Sequence, residues 1–181
     1  MYLEVNSMDM KLFNSLLLLF LCISCGSVRV SYDYERETDF TNYTTYNYYP
    51  DMETGLSEFD TRRLLRVLDN EMQSKGILLS EEPDFLINIT SNTFQGAQNN
   101  SVGVGLGGGG RNVGGGVSIG IPVGQPKLER QIRFDFVDSQ KDALFWSAQS
   151  ESAFKEDVTP EIREQKLREI VQKVLSKYPP K

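Results

Sequence analysis

The sequence contains no histidine, and its two cysteines are Cys22 and Cys25. Without an imidazole the chain cannot build a Ser-His-Asp or Cys-His catalytic site or a histidine-ligated metal centre. Both cysteines stand at the end of the first apolar run, so the body of the chain can neither form a disulfide nor hold zinc between thiolates. We therefore predict a protein that is not an enzyme, with no catalytic residues, no metal site and no cofactor.

Positive charge is in deficit. The chain carries 19 lysines and arginines against 25 aspartates and glutamates, which gives a formal net charge of -6. Proteins that bind nucleic acid need an excess of positive charge, so we predict no nucleic-acid partner. The length of 181 residues suits a single compact domain once an export segment is set aside.

The N-terminal region has the layout of a signal peptide. Lys11 provides a basic start, and residues 16–23 form a short apolar core. A helix that crosses a bilayer needs roughly 20 apolar residues, so this run is too short to span a membrane. Glu4 and Asp9 are unusual ahead of such a core, whereas a start at Met10 gives an ordinary signal sequence. The true start at Met10 is a hypothesis that mapping of ribosome start sites would test.

The apolar core ends in Cys22-Ile23-Ser24-Cys25-Gly26, which resembles a lipobox, the signal for cleavage and acylation at a cysteine. Cys22 stands where leucine is usual in that motif. An acylated thiol anchors a protein because each buried CH₂ contributes roughly 0.8 kcal/mol. We predict that residues 1–24 are the lipoprotein signal peptide. Lipidated Cys25 then begins a single mature domain, residues 25–181, that is held to a membrane.

Two segments have the periodicity of amphipathic helices. Ser57-Glu58-Phe59-Asp60 has the form of a capping box, and apolar residues recur at helical spacing after it. Thr159-Pro160 supplies a cap residue and a proline at the first helical position, and a second apolar stripe follows. The two patterns predict helices over residues 57–75 and 159–177.

Four segments have strand-like patterns of alternating or β-branched apolar residues. They are residues 28–34, 85–90, 131–137 and 143–148. Residues 138–142 supply turn chemistry between the last two segments, which predicts a hairpin. The aromatic segment 40–50 predicts an extended stretch or a short strand that ends at Pro50.

Together these elements predict an α+β domain built as a two-layer sandwich. We expect four or five mainly antiparallel strands, with both helices packed on one face of the sheet. Residues 96–126 form a glycine-rich insert with two stretches of alternating apolar residues. A phosphate-binding loop needs a helix start directly after it, but Pro122 and Pro126 follow here. We therefore interpret the insert as a hairpin or loop.

Aromatic residues supply one candidate site. Tyr43, Tyr46 and Tyr48 lie in the aromatic segment and, together with Trp146, are candidates for a surface that binds a ligand or a partner. The alternative, which we favour, is that these rings cover the sheet and leave their hydroxyls at its solvent edge. Capture of a small ligand by the aromatic patch is left open.

A row of acidic residues supplies a second candidate. Asp33, Glu35, Glu37 and Asp39 would share one face of an extended segment and could bind calcium. A solvated strand edge carries the same alternating charge, and this is the interpretation we favour.

Carboxylates also raise the possibility of hydrolysis. Glycoside hydrolysis needs two carboxyl groups about 5–10 Å apart in a cleft. The acids that could supply such a pair are Glu81, Glu82, Asp135 and Asp138. A carboxylate-dependent hydrolase of envelope glycans or lipids is thus the alternative from a different functional class.

The order of features along the chain resembles a family of uncharacterised bacterial envelope lipoproteins, catalogued as domain of unknown function 4136. The shared features are the lipobox, Tyr32-Asp33-Tyr34, Asp39-Phe40, the first helix, the Pro83-Asp84 strand, the glycine-rich insert, the Phe145-Trp146 hairpin and a terminal helix that closes on Tyr178-Pro179-Pro180. The resemblance covers nearly the whole mature chain. It implies an α/β domain that faces the periplasm of a Gram-negative bacterium from a lipid anchor in the outer membrane, and it brings no catalytic residues.

These observations predict a membrane-anchored envelope lipoprotein that acts as a non-catalytic binding or assembly factor. The exposed face of the sheet or the insert at 96–126 would meet another envelope protein or a cell-wall component. The sequence leaves the identity of the partner and the oligomeric state open.

Overall fold

The computed structural model describes residues 28–96, 101–103, 120–122 and 128–180. The predicted signal peptide, Cys25 and most of the predicted insert at 96–126 lie outside the described residues, so these stay predictions. The strands are β1 (Arg29–Tyr34), β2 (Thr45–Tyr48), β3 (Leu78–Leu79), β4 (Phe85–Gln95), β5 (Ser101–Gly103), β6 (Gly120–Pro122), β7 (Leu128–Asp138) and β8 (Ala143–Ala153). The helices are α1 (Glu58–Ser74) and α2 (Pro160–Leu175), with a 3-10 turn at Phe40–Asn42.

Six of these strands form one open sheet in the order β1-β8-β7-β4-β2-β3. β1, β8, β7 and β4 pair antiparallel with one another, whereas β2 runs parallel to both β4 and β3. The α+β class with two helices is confirmed. The prediction of a mainly antiparallel sheet of four or five strands was wrong, because the sheet is mixed and has six strands. β5 and β6 pair antiparallel in a separate two-stranded sheet.

The parallel strands result from the crossover through α1. The chain leaves β2, passes along α1 and returns to the same end of the sheet, so β3 and β4 run in the direction of β2. β2 has 4 residues and β3 has 2, too few to show a clear alternation. The sequence pattern therefore predicts an extended stretch or a short strand within the aromatic segment, where β2 lies, and does not predict β3.

Both predicted helices are present, and their ends lie within two residues of the predicted ones. Ser57 caps α1 as predicted, since its Oγ accepts a hydrogen bond from the backbone N–H of Asp60 at 3.2 Å. The two helices start side by side, where Arg163 of α2 binds Asp60 of α1. They also end side by side, where Lys75 Nζ donates to the carbonyl of Tyr178 at 3.1 Å.

The predicted hairpin of β7 and β8 is longer than its sequence pattern. Each strand has 11 residues, and the register shifts between Phe136 and Val137. This bulge allows the neighbouring residues Phe145 and Trp146 both to be buried. The strand ends at 128–130 and 149–153 are largely polar, so alternation does not reveal them.

The core lies between the two helices and one face of the sheet. On the sheet it is formed by alternate residues, among them Phe85, Ile87, Ile89, Ile132, Phe134 and Phe136. On the helices it is formed by an apolar stripe that includes Leu64, Leu68, Met72, Ile170, Val171 and Val174. The opposite face of the sheet carries polar side chains such as Asn88, Arg133, Asp135 and Gln149. No helix in the described ranges is both long and apolar enough to cross a membrane.

Candidate functional site

A cavity of about 430 Å³ lies between the first half of α2 and the adjoining ends of β7 and β8. Ligand pockets usually have volumes of roughly 300–1,000 Å³. Apolar side chains from both layers form most of the wall: Ile132, Phe154, Val158, Ile162, Leu167 and Ile170. Ile162 is 51% exposed, whereas Ile132 and Ile170 are buried, so the apolar interior opens to solvent beside Ile162.

Charged side chains complete the lining, namely Arg130, Lys155, Arg163, Lys166 and Asp60. The side chain of Asp60 is 4% exposed, and its Oδ2 lies 3.0 Å from Arg163 Nη1 and 3.9 Å from Arg130 Nη1. Its other oxygen, Oδ1, lies 2.8 Å from Arg63 Nη1. One buried carboxylate is thus shared by three guanidinium groups, and positive charge exceeds negative charge beside the cavity.

The two arginines of the lining are held by further contacts. Arg163 Nη2 donates to the carbonyl of Glu156, and Arg163 Nε donates to the carbonyl of Val158 at 3.4 Å. The guanidinium carbon of Arg130 lies 3.5 Å from the centre of the Phe154 ring, a cation–π contact. Both cationic groups are therefore ordered before any ligand binds, which reduces the entropy lost on binding.

Burial lowers the pKa of Arg130, and the positive charge of Arg163 acts in the same direction. The carboxylates of Asp60 and Glu156 oppose this shift. A cation that is disfavoured by burial and by a like charge is stabilised when an anion approaches. The electrostatics of the cavity therefore favour a ligand with a negatively charged group.

Neither Asp60 nor Arg130 is among the residues that the sequence predicted to form a site. Asp60 occupies the last position of the predicted capping box, but its carboxylate binds the arginines while only its N–H serves the cap. Arg130 did carry a signal. It lies two residues before Ile132, so it shares the core face of β7, where a charged side chain needs a partner.

Tyr46 and Tyr48, two of the predicted site residues, share one carboxylate on α1. Their hydroxyls donate to Asp69 Oδ1 at 2.6 and 2.7 Å, and their rings meet edge to face with centroids 5.8 Å apart. Burial raises the pKa of both hydroxyls, and the hydrogen bond to Asp69 raises it further. These contacts attach β2 to α1 and leave the Tyr46 ring buried.

Tyr43 and Trp146, the other two predicted residues, also pack into the aromatic core. The Tyr43 ring stacks on Phe145 with centroids 3.9 Å apart, and burial together with the hydrogen bond to Asp138 raises its pKa to about 12. Trp146 is 0% exposed and packs against other rings, with the Tyr178 centroid 5.1 Å away. A ligand surface made of these residues stays a prediction, and it would require the buried Tyr46 and Trp146 rings to become accessible.

The structure also places the acidic candidates for a calcium site. β1 ends at Tyr34 and the chain then turns, so the extended segment that would align Asp33, Glu35, Glu37 and Asp39 is not formed. Within the described part of the chain, no group of three or more cysteines, aspartates or glutamates could hold a metal ion.

The candidate acids for hydrolysis have separate structural partners. Asp135 accepts hydrogen bonds from Ser147 Oγ at 2.6 Å and from Arg133 Nε at 2.8 Å. Asp138 accepts from Tyr43 and from backbone N–H groups of the hairpin turn. Glu81 and Glu82 are exposed in the loop before β4.

A second concavity, of about 390 Å³, lies on the polar face of the sheet beside β1 and β8. Its cationic residue, Arg133, is paired with Asp135 at 2.8 Å, so no comparable excess of charge is present. This exposed face is one of the two surfaces predicted to bind another envelope component; the other is the insert at 96–126. We take the cavity beside α2 as the candidate site, because it combines an apolar wall with an excess of positive charge.

The fold and the cavity define the described part of the chain as an α+β domain with a ligand-sized apolar pocket between its layers. The chain matches the family described as Domain of unknown function (DUF4136) over residues 30–180, and it therefore belongs to that family. This is the family that the sequence resembles, so the prediction is confirmed. No curated protein matches the chain.

Two solved structures are similar in shape. A PDZ domain protein from Parabacteroides distasonis ATCC 8503 has 14% identity and a TM-score of 0.54, over 96% of this chain and 41% of that one. The chain thus spans less than half the length of that protein, and the likeness shows a shared fold alone. A PelC dodecamer from Paraburkholderia phytofirmans has 10% identity and a TM-score of 0.48, over 83% of this chain and 96% of that one. The family description gives no sign of catalytic activity.

Proposed function

We propose that the chain is a lipid-anchored protein of the bacterial envelope that binds, without catalysis, a ligand with an apolar body and a negatively charged group. The observation that carries the proposal is the cavity beside α2. There, apolar side chains from both layers lie next to one carboxylate that is shared by three arginines. An apolar pocket with a few convergent polar groups is the usual form of a site for a small ligand.

The lipid anchor rests on the lipobox at Cys25. Growth of the native host with radiolabelled palmitate tests it directly, because an acylated thiol retains the label through purification. We expect the wild-type protein and a Cys22→Ala variant to be labelled and a Cys25→Ala variant to be unlabelled. Label that persists in Cys25→Ala would contradict acylation at Cys25. It would not affect the proposal that the cavity binds a ligand.

Binding accounts for the cavity better than hydrolysis, because its carboxylate is already engaged. A general acid or base must exchange a proton with the reacting group. Asp60 instead lies between Arg63 and Arg163, at 2.8 and 3.0 Å, as the centre of an ion-pair network. We expect the purified full-length protein to turn over none of a panel of envelope glycans and lipids. Turnover that is lost in Asp60→Asn would overturn the non-catalytic assignment.

The ligand site is tested by asking what the protein carries when it is purified. The full-length protein is solubilised from membranes in detergent, and mass spectrometry identifies the small molecules extracted with it. We expect an amphiphilic anion in the wild-type protein. Ile162→Glu places a carboxylate at the cavity opening and should remove this ligand with little loss of stability, since Ile162 is 51% exposed.

Leu144→Glu is the matched control. Leu144 is 50% exposed and lies against the concavity on the opposite face of the sheet, so the substitution adds the same charge away from the cavity. The control should retain the ligand. If Ile162→Glu retains it as well, the cavity is not the binding site.

A further inference from the structure

The cavity lies at the end of the domain nearest to the predicted anchor. Val28, the first described residue, is three positions after Cys25, so the two Cα atoms are at most roughly 11 Å apart. Arg29 then bridges Glu129 of β7 and Glu151 of β8, with distances of 3.0 and 3.1 Å. The next residues of these two strands line the cavity. The chain therefore emerges from its anchor at the same end of the sheet as the cavity.

We call this end of the domain the arginine end, defined by Arg63, Arg130 and Arg163 around Asp60. It also carries exposed apolar side chains. Phe59 is 65% exposed, and the guanidinium carbons of Arg62 and Arg63 lie 5.2 and 5.9 Å from its ring centre. Ile162 is exposed beside the cavity opening. Exposed apolar groups flanked by arginines are typical of surfaces that rest at the boundary between lipid headgroups and acyl chains.

We propose that the arginine end rests on the membrane that holds the anchor, and that the cavity takes an anionic phospholipid from this membrane. The phosphate would lie at Arg130 and Arg163, and an acyl chain would lie along the accessible apolar lining, Phe154, Val158 and Ile162. This inference rests on the proposed function and names the class of ligand.

Guanidinium chemistry favours a phosphate as the charged group. Arginine presents a planar set of donors that matches phosphate oxygens, and such charge-assisted pairs are stronger than neutral hydrogen bonds. Asp60 is the acidic residue of the cavity lining, and Arg130 and Arg163 share it with Arg63. The Glu156 carboxylate also acts on Arg130 but does not line the cavity. Lys155 and Lys166 add positive charge along the same wall, although Lys166 also binds Glu169 at 2.9 Å. A headgroup phosphate would offset this charge while the acyl chain remains in the apolar interior.

The test uses the full-length protein reconstituted in phosphatidylcholine vesicles. These vesicles contain a trace of phosphatidylglycerol or of phosphatidylcholine, each with a photoactivatable group on one acyl chain. After illumination, the cross-linked peptides are identified by mass spectrometry. We expect phosphatidylglycerol to label peptides from 160–175 and 128–138 about tenfold more than phosphatidylcholine does, the ratio that corresponds to 1.4 kcal/mol.

Arginine variants distinguish an effect of charge at the cavity from an effect on folding. Arg130→Gln with Arg163→Gln should reduce the labelling by phosphatidylglycerol to the level of phosphatidylcholine. The matched control, Arg66→Gln with Arg133→Gln, removes two arginines that do not line the cavity and should leave the labelling unchanged. Arg163→Lys retains the charge beside Asp60 but loses the planar donor set, and it should give an intermediate level. This milder variant keeps the test valid if the double variant fails to fold.

Several results would overturn the inference. Equal labelling by the two lipids, unchanged in the arginine variants, would show that the cavity binds acyl chains without distinguishing an anionic from a zwitterionic headgroup. Displacement of phosphatidylglycerol by an equal amount of oleate would assign the site to acyl anions in general and not to a phospholipid. Labelling outside the cavity peptides, while the wild-type protein still carries a ligand lost in Ile162→Glu, would refute the membrane lipid and leave the proposed function intact. Absence of both labelling and carried ligand would refute the two proposals together.

Discussion

The two ends of the domain differ in charge and in packing. At the arginine end, three guanidinium groups surround one carboxylate and a cavity of about 430 Å³ remains beside them. At the other end, which we call the aromatic end, the rings of Tyr43, Phe145, Trp146 and Tyr178 pack against one another within the core. There the Tyr43 hydroxyl donates to Asp138 at 2.8 Å.

Under the proposed function, the aromatic end serves stability and the arginine end binds the ligand. Close packing lowers the free energy of the folded state and leaves little room for a ligand, although the Tyr178 hydroxyl and Trp146 Nε1 are buried without a hydrogen-bond partner among the described residues. An excess of positive charge beside an open apolar cavity lowers the stability of the folded state, unless a bound ligand supplies a negative charge and fills the cavity.

Truncation of the aromatic end should have the largest effect on stability. Trp146→Ala removes a fully buried ring that packs against Tyr32, Phe136 and Tyr178, and should lower the free energy of unfolding by about 3–5 kcal/mol. Urea unfolding followed by circular dichroism measures the change. The fraction that stays folded should still carry the ligand. Loss of ligand without loss of stability would reverse the roles of the two ends and restore Trp146 as a binding residue.

Two carboxylates of α1, the buried Asp60 and the half-buried Asp69, should respond differently to neutralisation. Asp60→Asn leaves three arginines facing one another and should cost about 2–3 kcal/mol, less than a fully buried pair because the guanidinium groups reach solvent. Asp69→Asn keeps an oxygen that can accept from Tyr46 and Tyr48, and should cost about 1 kcal/mol. Thermal unfolding in low and high phosphate distinguishes them, because added anions should stabilise Asp60→Asn more than wild type or Asp69→Asn. Equal responses would show that charge at the arginine end is already balanced.

Two glycines with positive φ offer a comparison of backbone strain near the two ends of α1. Gly55 has φ of +70°, and a Cβ added there would lie 2.8 Å from the carbonyl oxygen of Ser91, so Gly55→Ala should cost about 2 kcal/mol. Gly76 has φ of +80° but open space around it, and Gly76→Ala should cost about 1 kcal/mol. Urea midpoints of the two variants provide the measurement. A larger cost at Gly76 would mean that the contact with Ser91 relaxes freely.

Acid should weaken the aromatic end through Asp138. Burial opposes ionisation of this group, but hydrogen bonds from the Lys141 N–H, the Tyr43 hydroxyl and the Gln140 N–H outweigh it and lower its pKa below the ordinary value of 3.8. A carboxylate with a lower pKa in the folded state contributes stability above its unfolded pKa and loses it as the pH falls through the folded pKa.

Asp138→Asn should therefore be less stable than wild type at pH 7, by about 1 kcal/mol, and the difference should shrink below about pH 4. Unfolding curves between pH 2 and 7 measure this convergence. A difference that stays constant over the whole range would show that the carboxylate has no role in acid sensitivity.

Patterns within a short stretch of sequence predicted the elements that such a stretch specifies, namely the helices and the long strands. The Ser57 cap and the apolar stripe after it specify α1 because each turn of a helix repeats the same face. The alternation in β7 likewise specifies the core side of the hairpin. β2 lies within the aromatic segment that was predicted to be an extended stretch or a short strand, but β3 was not predicted, since so short a strand shows no clear period. The parallel pairing of both strands was not predicted either, because it depends on a crossover. The tyrosines of β2 illustrate the limit, because residue type indicates an amphipathic ring but not whether its hydroxyl meets solvent or Asp69.

The sequence by itself determined the class of the fold, the two helices, the hairpin and the family. Helical and strand periods of 3.6 and 2 residues, and short motifs, can each be recognised within one continuous segment. Only the tertiary structure decided that Arg63, Arg130 and Arg163 meet at Asp60. These residues come from α1, β7 and α2, and no local pattern records which charges converge when distant elements pack. The candidate site is therefore a product of packing between the two layers of the domain.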